Sequence, residues 1–151
     1  MASASPNSLT VASPRRVTPG VVAALTRGGT WDVIMRIRKG VPATHLASLA
    51  KALGLSTRDF CAALRMKPAT QERRIREGRV LLQHESDLLV RTAMVFARTI
   101  QVFGDRGKAS NWMRQEVIAL GGATPLSLLD TGIGADLVER ALTAIEHGHP
   151  A

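Results

Sequence analysis

Apolar residues recur every three to four positions along most of this chain, and they do not alternate with polar ones over the length of a strand. That period belongs to helices with one buried face. Thr18-Pro19 supplies a cap and a first helical residue for a short helix stopping at Gly28-Gly29. Trp31, Ile34, Met35 and Arg38 share a face up to Gly40. After Val41-Pro42, the stripe Leu46, Leu49, Ala50 and Leu53 runs to Gly54. Ser56, with Asp59 three residues on, forms a capping box for a helix carrying Phe60, Ala63 and Leu64. Lys67-Pro68 ends it, because the residue before a proline is pushed out of helical space. Proline suits the first position of the next helix, predicted from Pro68 to about Glu77 with Gly78 as its stop.

The longest element is predicted over residues 83–103, where Leu88, Leu89, Ala93, Phe96, Ala97, Ile100 and Phe103 form a wide apolar face. Glu85 and Asp87 fall in its first turn, where the helix dipole favours negative charge. Gly104 closes it, and Asp105 caps a helix holding Ala109, Trp112 and Met113. Beyond the loop EVIALGGA, Thr124-Pro125 opens a short helix, PLSLL. Asp130-Thr131-Gly132 then turns the chain into a last helix over about 135–147. The fold class is therefore all-α, with roughly eight or nine helices. Residues 1–16 are Ser/Ala/Pro-rich and expected to be disordered, 17–82 form a helix-turn-helix domain, and 83–151 form a small C-terminal helical domain led by the long helix. That long helix is either a natural place for two subunits to meet or simply the core of the domain.

Charge divides the chain in the same way. Residues 1–83 hold 14 Lys/Arg against 4 Asp/Glu, whereas 84–151 hold 6 against 8, so the total of +8 conceals a basic half and a mildly acidic one. A basic half suits a polyanion, most often nucleic acid. The helix-turn-helix layout over Ser56–Arg79 gives that charge a location. With Ile75 turned to the core, the opposite face of the second helix shows Ala69, Thr70, Arg73 and Arg76, while Arg74 and Arg79 add charge of the same sign. An arginine there suits guanine O6 and N7 in the major groove, and Lys67 and Thr70 suit phosphates, with Lys51, Arg58 and Arg79 as further phosphate candidates.

Chemistry of other kinds finds little support. One cysteine, Cys61, forms no internal disulfide, and its place beside Phe60 reads as a small buried hydrophobe. His45, His84, His147 and His149 have no metal-ligand spacing, no nucleophile motif appears, and no cofactor-binding loop follows a strand. The chain reads as a non-enzyme without metal or cofactor. No apolar run approaches a membrane span, and MASASPNSLTVASPRR lacks a charged start before an apolar core, so the expected compartment is the cytoplasm.

From about residue 86 to 148 the chain resembles the toxin-binding domain of the Xre/MbcA/ParS antitoxins. The resemblance lies in VFGD at 102–105, Ala109 and Trp112, ALGGATPLSLLDT at 119–131, and VERALTAIEHG at 138–148. The preceding half is similar to the Xre-like helix-turn-helix of the same family, down to REGR before the long helix. The resemblance implies a type II antitoxin that binds and covers the active site of a RES-domain toxin, an enzyme that consumes NAD⁺ or uses it for ADP-ribosylation. It also implies a homodimer, larger assemblies with toxin, and repression of its own operon through operator DNA. Leu120, Gly121, Gly122 and Pro125, with Arg140, Glu146, His147 and His149, become the toxin-facing candidates, while Trp112, Leu128 and Leu129 are assigned to the core. The family usually has an apolar residue where this chain has Gln71, which leaves either a looser core or an extra polar reader of DNA. It also tends toward a Pro-Asn pair where this chain has Glu116-Val117-Ile118. The competing reading is a stand-alone helix-turn-helix regulator whose acidic half only dimerises it.

Overall fold

The structure, a computed structural model, describes residues 19–149. The segment expected to be disordered, Thr18 of the first cap, and the tail residues Pro150 and Ala151 lie outside them. Eight α-helices account for most of the described residues: α1 (Gly20–Thr26), α2 (Thr30–Lys39), α3 (Thr44–Ala52), α4 (Thr57–Ala63), α5 (Pro68–Arg76), α6 (Gln83–Phe103), α7 (Arg106–Arg114) and α8 (Gly132–Glu146). Short 3₁₀ turns cover Ile118–Leu120 and Leu126–Asp130, so PLSLL is a 3₁₀ segment rather than an α-helix. The predicted caps form at Ser56, whose hydroxyl accepts the Asp59 N–H, and at Asp105, whose carboxylate accepts the Lys108 N–H.

α6 is the post around which the rest is built. Eleven of its 21 residues are buried, because α1 and α2 pack against it as well as α7 and α8. Its apolar residues join Leu25, Leu46, Phe60, Met113 and Leu142 in one contiguous core. The hydroxyl groups drawn inside with it are satisfied, whereas the buried Nε of Arg91 has no hydrogen-bond partner among the described residues. Thr92 and Thr99 donate to the carbonyls of Leu88 and Val95, and Ser86 Oγ accepts the Val41 N–H at 2.9 Å. Of the two readings of this helix, the structure carries the domain core: its apolar surface is used within the chain, and only Met94 of its large apolar residues is exposed.

The helix-turn-helix is closed into a loop by its own entry and exit. Among the described residues the one β-type pairing is a bridge between Pro42 and Val80. Ala43 N–H donates to Arg79 O at 2.9 Å and Leu81 N–H to Val41 O at 2.8 Å. Gly40 permits this clasp: its φ is +93°, and a Cβ there would come within 2.9 Å of Leu81 O. Among the described residues no helix is long and apolar enough to cross a membrane.

Cys61 is fully buried, and burial, assisted by Glu72 and Glu85, pushes its thiol up to about 11. The native thiol should be inert to a disulfide reagent at pH 8 and react at the unfolding rate once urea is added. At the start of α8 the fold allows no side chain at Gly134, where a Cβ would lie 1.9 Å from Leu128 O. Gly134→Ala should therefore cost about 3 kcal/mol, measured by urea unfolding.

Candidate functional sites

α5 begins without a side-chain cap at Lys67 and with Pro68 in its first turn. Lys67, Ala69, Arg73 and Arg76 are exposed, Thr70 is half-buried, and Ile75 packs against the core as expected. Two of the further phosphate candidates are already engaged, and Lys51 is exposed. Arg79 pairs with Glu77 at 2.8 Å, and Arg58 pairs with Glu72 at 3.1 Å. Lys67, Arg73 and Arg76 form no ion pair among the described residues, so this face keeps its charge for a partner.

Gln71 and Arg74 belong elsewhere. Gln71 is 2% exposed, and its amide donates to a carboxylate oxygen of Glu85 on α6. Arg74 Nη1 donates to the other oxygen at 2.5 Å and reaches Gln71 Oε1 at 3.3 Å, while the Leu82 N–H also points at Glu85. Neither side chain faces outward, which corrects their placement among the DNA-facing residues. Gln71 is neither a defect in the core nor a reader: it is half of the shell around a buried carboxylate. Helical spacing carried the signal, since Gln71 lies four residues before the inward Ile75 and must share its face.

The turn between α4 and α5 holds Arg65 at φ +58°, the one non-glycine residue with positive φ among the described residues. Its guanidinium pairs with Asp130 of the C-terminal half at 3.1 Å. A cavity of about 400 Å³ opens there, lined by Met66, Lys67, Gln71, His84 and Asp130 among others.

In the C-terminal half, the loop after α7 closes on itself. Val117 N–H donates to Ala123 O at 3.1 Å, and Gly122 N–H returns to Val117 O at 3.0 Å. Gly121 and Gly122 both take left-handed φ, +69° and +81°, with open space where a Cβ would go. The pair is thus required by the backbone and leaves a flat, exposed crest. Leu120 and Pro125 are buried and anchor the loop from below, so as candidates for direct contact they are corrected to supports. The exposed apolar residue of this loop is Ile118, at 93%. Sequence reasoning missed it because the apolar run Val117-Ile118 has no helical period to say which residue turns out. Ile133 and Leu137, four apart on α8, are also exposed.

Further along α8, Arg140, His147 and His149 are exposed, as a contact surface needs. Glu146 is exposed but occupied: Arg98 of α6 meets it through two bonds, at 3.0 and 2.5 Å. The hydrogen bond from Arg98 holds the Glu146 carboxyl below the usual carboxylate range. Trp112 and Leu129 are buried and Leu128 is half-buried, in keeping with their core assignment, and the Trp112 ring packs on Phe103 at 5.6 Å. Among the described residues no group of three or more His, Cys, Asp or Glu could hold a metal ion.

A helix-turn-helix with an unpaired cationic face, built on one helical core with an exposed glycine crest and a half-dressed terminal helix, is the layout of a DNA-binding module joined to a protein-binding one. Residues 32–94 match the profile of the antitoxin Xre-like helix-turn-helix domain, and residues 98–148 match that of the antitoxin Xre/MbcA/ParS C-terminal toxin-binding domain. The chain is 31% identical over 139 residues to the Prs ADP-ribosylating antitoxin of Sphingobium sp. (strain YBL2), spanning 86% of this chain and 87% of that one. It is 34% identical over 121 residues to the antitoxin Xre of Pseudomonas putida, spanning 79% and 74%. With the antitoxin Xre of Yersinia enterocolitica it shares 32% identity over 129 residues, spanning 85% and 79%. The chain belongs to the Xre/MbcA/ParS antitoxin family, whose members regulate and bind toxins and are not enzymes.

Removing the Glu85 carboxylate would leave Arg74 and Gln71 without their acceptor beneath α5. Glu85→Ala should destabilise the protein by about 3 kcal/mol in urea unfolding, and Glu85→Gln by less, because an amide oxygen still accepts from Arg74.

Proposed function

We propose that this antitoxin neutralises a RES-domain toxin that spends NAD⁺, covering its active site through the C-terminal half, and represses its own operon through α5. The observation that carries the reading is the separation of two free surfaces on one chain. Lys67, Arg73 and Arg76 face out from α5, while Ile118, the Gly121-Gly122 crest, Leu137 and Arg140 face out from the C-terminal half. Use of NAD⁺ for ADP-ribosyl transfer is favoured by the likeness to the Prs ADP-ribosylating antitoxin of Sphingobium. The RES type of the toxin is what the resemblance to the Xre/MbcA/ParS antitoxins implies.

Operator binding calls for two copies, since a two-fold dimer meets half-sites about one helical turn apart. With α6 consumed by the core, we place the second subunit on α2. None of its residues is fully buried, and Trp31 and Met35 stand out from it one turn apart, Trp31 at 72% exposure.

In co-expression with the product of the neighbouring gene, this protein should restore growth and intracellular NAD⁺. A regulator acting alone would restore neither. Arg73→Ala with Arg76→Ala should lower operator affinity at least about tenfold and relax the preference for operator over unrelated duplex, with toxin binding unchanged. Equal loss of both would merge the two surfaces. Trp31→Glu with Met35→Glu should convert a dimer to a monomer by analytical ultracentrifugation, and a persistent dimer would move the interface elsewhere.

A further inference from the structure

Two devices that do not share an atom fix the C-terminal end of α8. The first is backbone. Gly148 N–H donates to Ile145 O at 3.0 Å and His149 N–H to Ala144 O at 2.8 Å, with Gly148 at φ +78°. This pair of hydrogen bonds around a left-handed residue satisfies carbonyls that a helix end otherwise leaves bare. Nothing lies within 4 Å of a Cβ built on Gly148, so the glycine is required by conformation and not by space. The second device is the paired contact of Arg98 on Glu146, across 48 residues of sequence. A two-bond guanidinium–carboxylate contact fixes orientation as well as distance. Both partners are partly solvent-exposed, at 29% and 43% for the side chains, so the pair contributes little to holding the core. What the two devices do fix is the direction in which the chain leaves α8, with His147 and His149 outside.

We propose that Arg98 and Gly148 are positioning residues for toxin neutralisation, holding the last turn of α8 and the His147–His149 exit in the toxin-binding direction before the toxin arrives. The inference rests on the reading that this end of α8 meets the toxin. A preformed end lowers the ordering cost of association, and the gain shows mainly in the dissociation rate. Glu146 then works through Arg98 and not by touching the toxin.

The test uses the full chain and the toxin encoded beside it, purified in a catalytically silenced form. Dissociation of the complex and amide exchange at His149 in the free antitoxin are measured together. The variants are Arg98→Ala, Glu146→Ala, Gly148→Ala, the exchanged pair Arg98→Glu with Glu146→Arg, and a truncation after Ile145. Each single variant should speed His149 exchange and toxin dissociation by about tenfold with the melting temperature unmoved, and the exchanged pair should recover both. If the truncation dissociates no faster than the parent, the end of α8 is not where the toxin binds and the underlying reading fails. If the truncation weakens binding but Arg98→Ala and Gly148→Ala do not, the reading stands and the positioning role is overturned. Recovery of His149 exchange in the exchanged pair without recovery of binding would also overturn it, because Glu146 would then be touching the toxin itself.

Discussion

A carboxylate placed inside a protein must be answered by donors, and Glu85 organises the N-terminal half by demanding them. It is 7% exposed at the first turn of α6. Desolvating a carboxylate costs several kcal/mol unless hydrogen bonds and an opposite charge replace the lost water. Arg74 and Gln71 supply both from α5, and the Leu82 N–H adds a third donor from the cap of α6 itself. The helix that carries the outward cations is therefore fastened to the central helix by polar contacts with defined geometry, which apolar packing alone would leave free to slide. The clasp of residues 41–43 on 79–81 holds the same unit at its two ends.

Most of the fold was legible because its punctuation is explicit. Proline, glycine and small polar caps mark nearly every boundary, and residues 83–103 were delimited to the residue. The 3₁₀ segment at Leu126–Asp130 was not distinguished from an α-helix, since a run of three to five residues has no period to measure. The burial of α6 on several sides was also hidden: its Thr and Ser residues look polar in sequence, and only their bonds to carbonyls and to Val41 let them go inside.

The surfaces were legible in outline and less so in detail. Charge and layout located the cationic face, but the arginine run of α5 includes one residue, Arg74, whose charge is spent internally. Spacing could have excluded Gln71; only the fold shows that Glu85 is the reason for it. In the C-terminal half, conspicuous motif residues divide into those that shape the loop, Leu120 and Pro125, and those left at its crest, Gly121 and Gly122. The helical stripe that holds Trp31 and the unperiodic loop that holds Ile118 do not reveal their exposure, because a residue's neighbours in space decide that.

The continuity of α6 also governs how such a chain can be recombined. The two family matches part between residues 94 and 98, inside an unbroken helix that both halves use as their wall. Each residue of an α-helix turns its successor by about 100°. A hybrid that joined this helix-turn-helix to a relative's C-terminal half one residue out of step would swing α7 and α8 a quarter-turn round the post, away from the side where α1 and α2 leave room for them. Exchange of toxin specificity between relatives is thus restricted to crossovers that keep the phase of the helix, as a thread can be spliced only where its pitch is preserved.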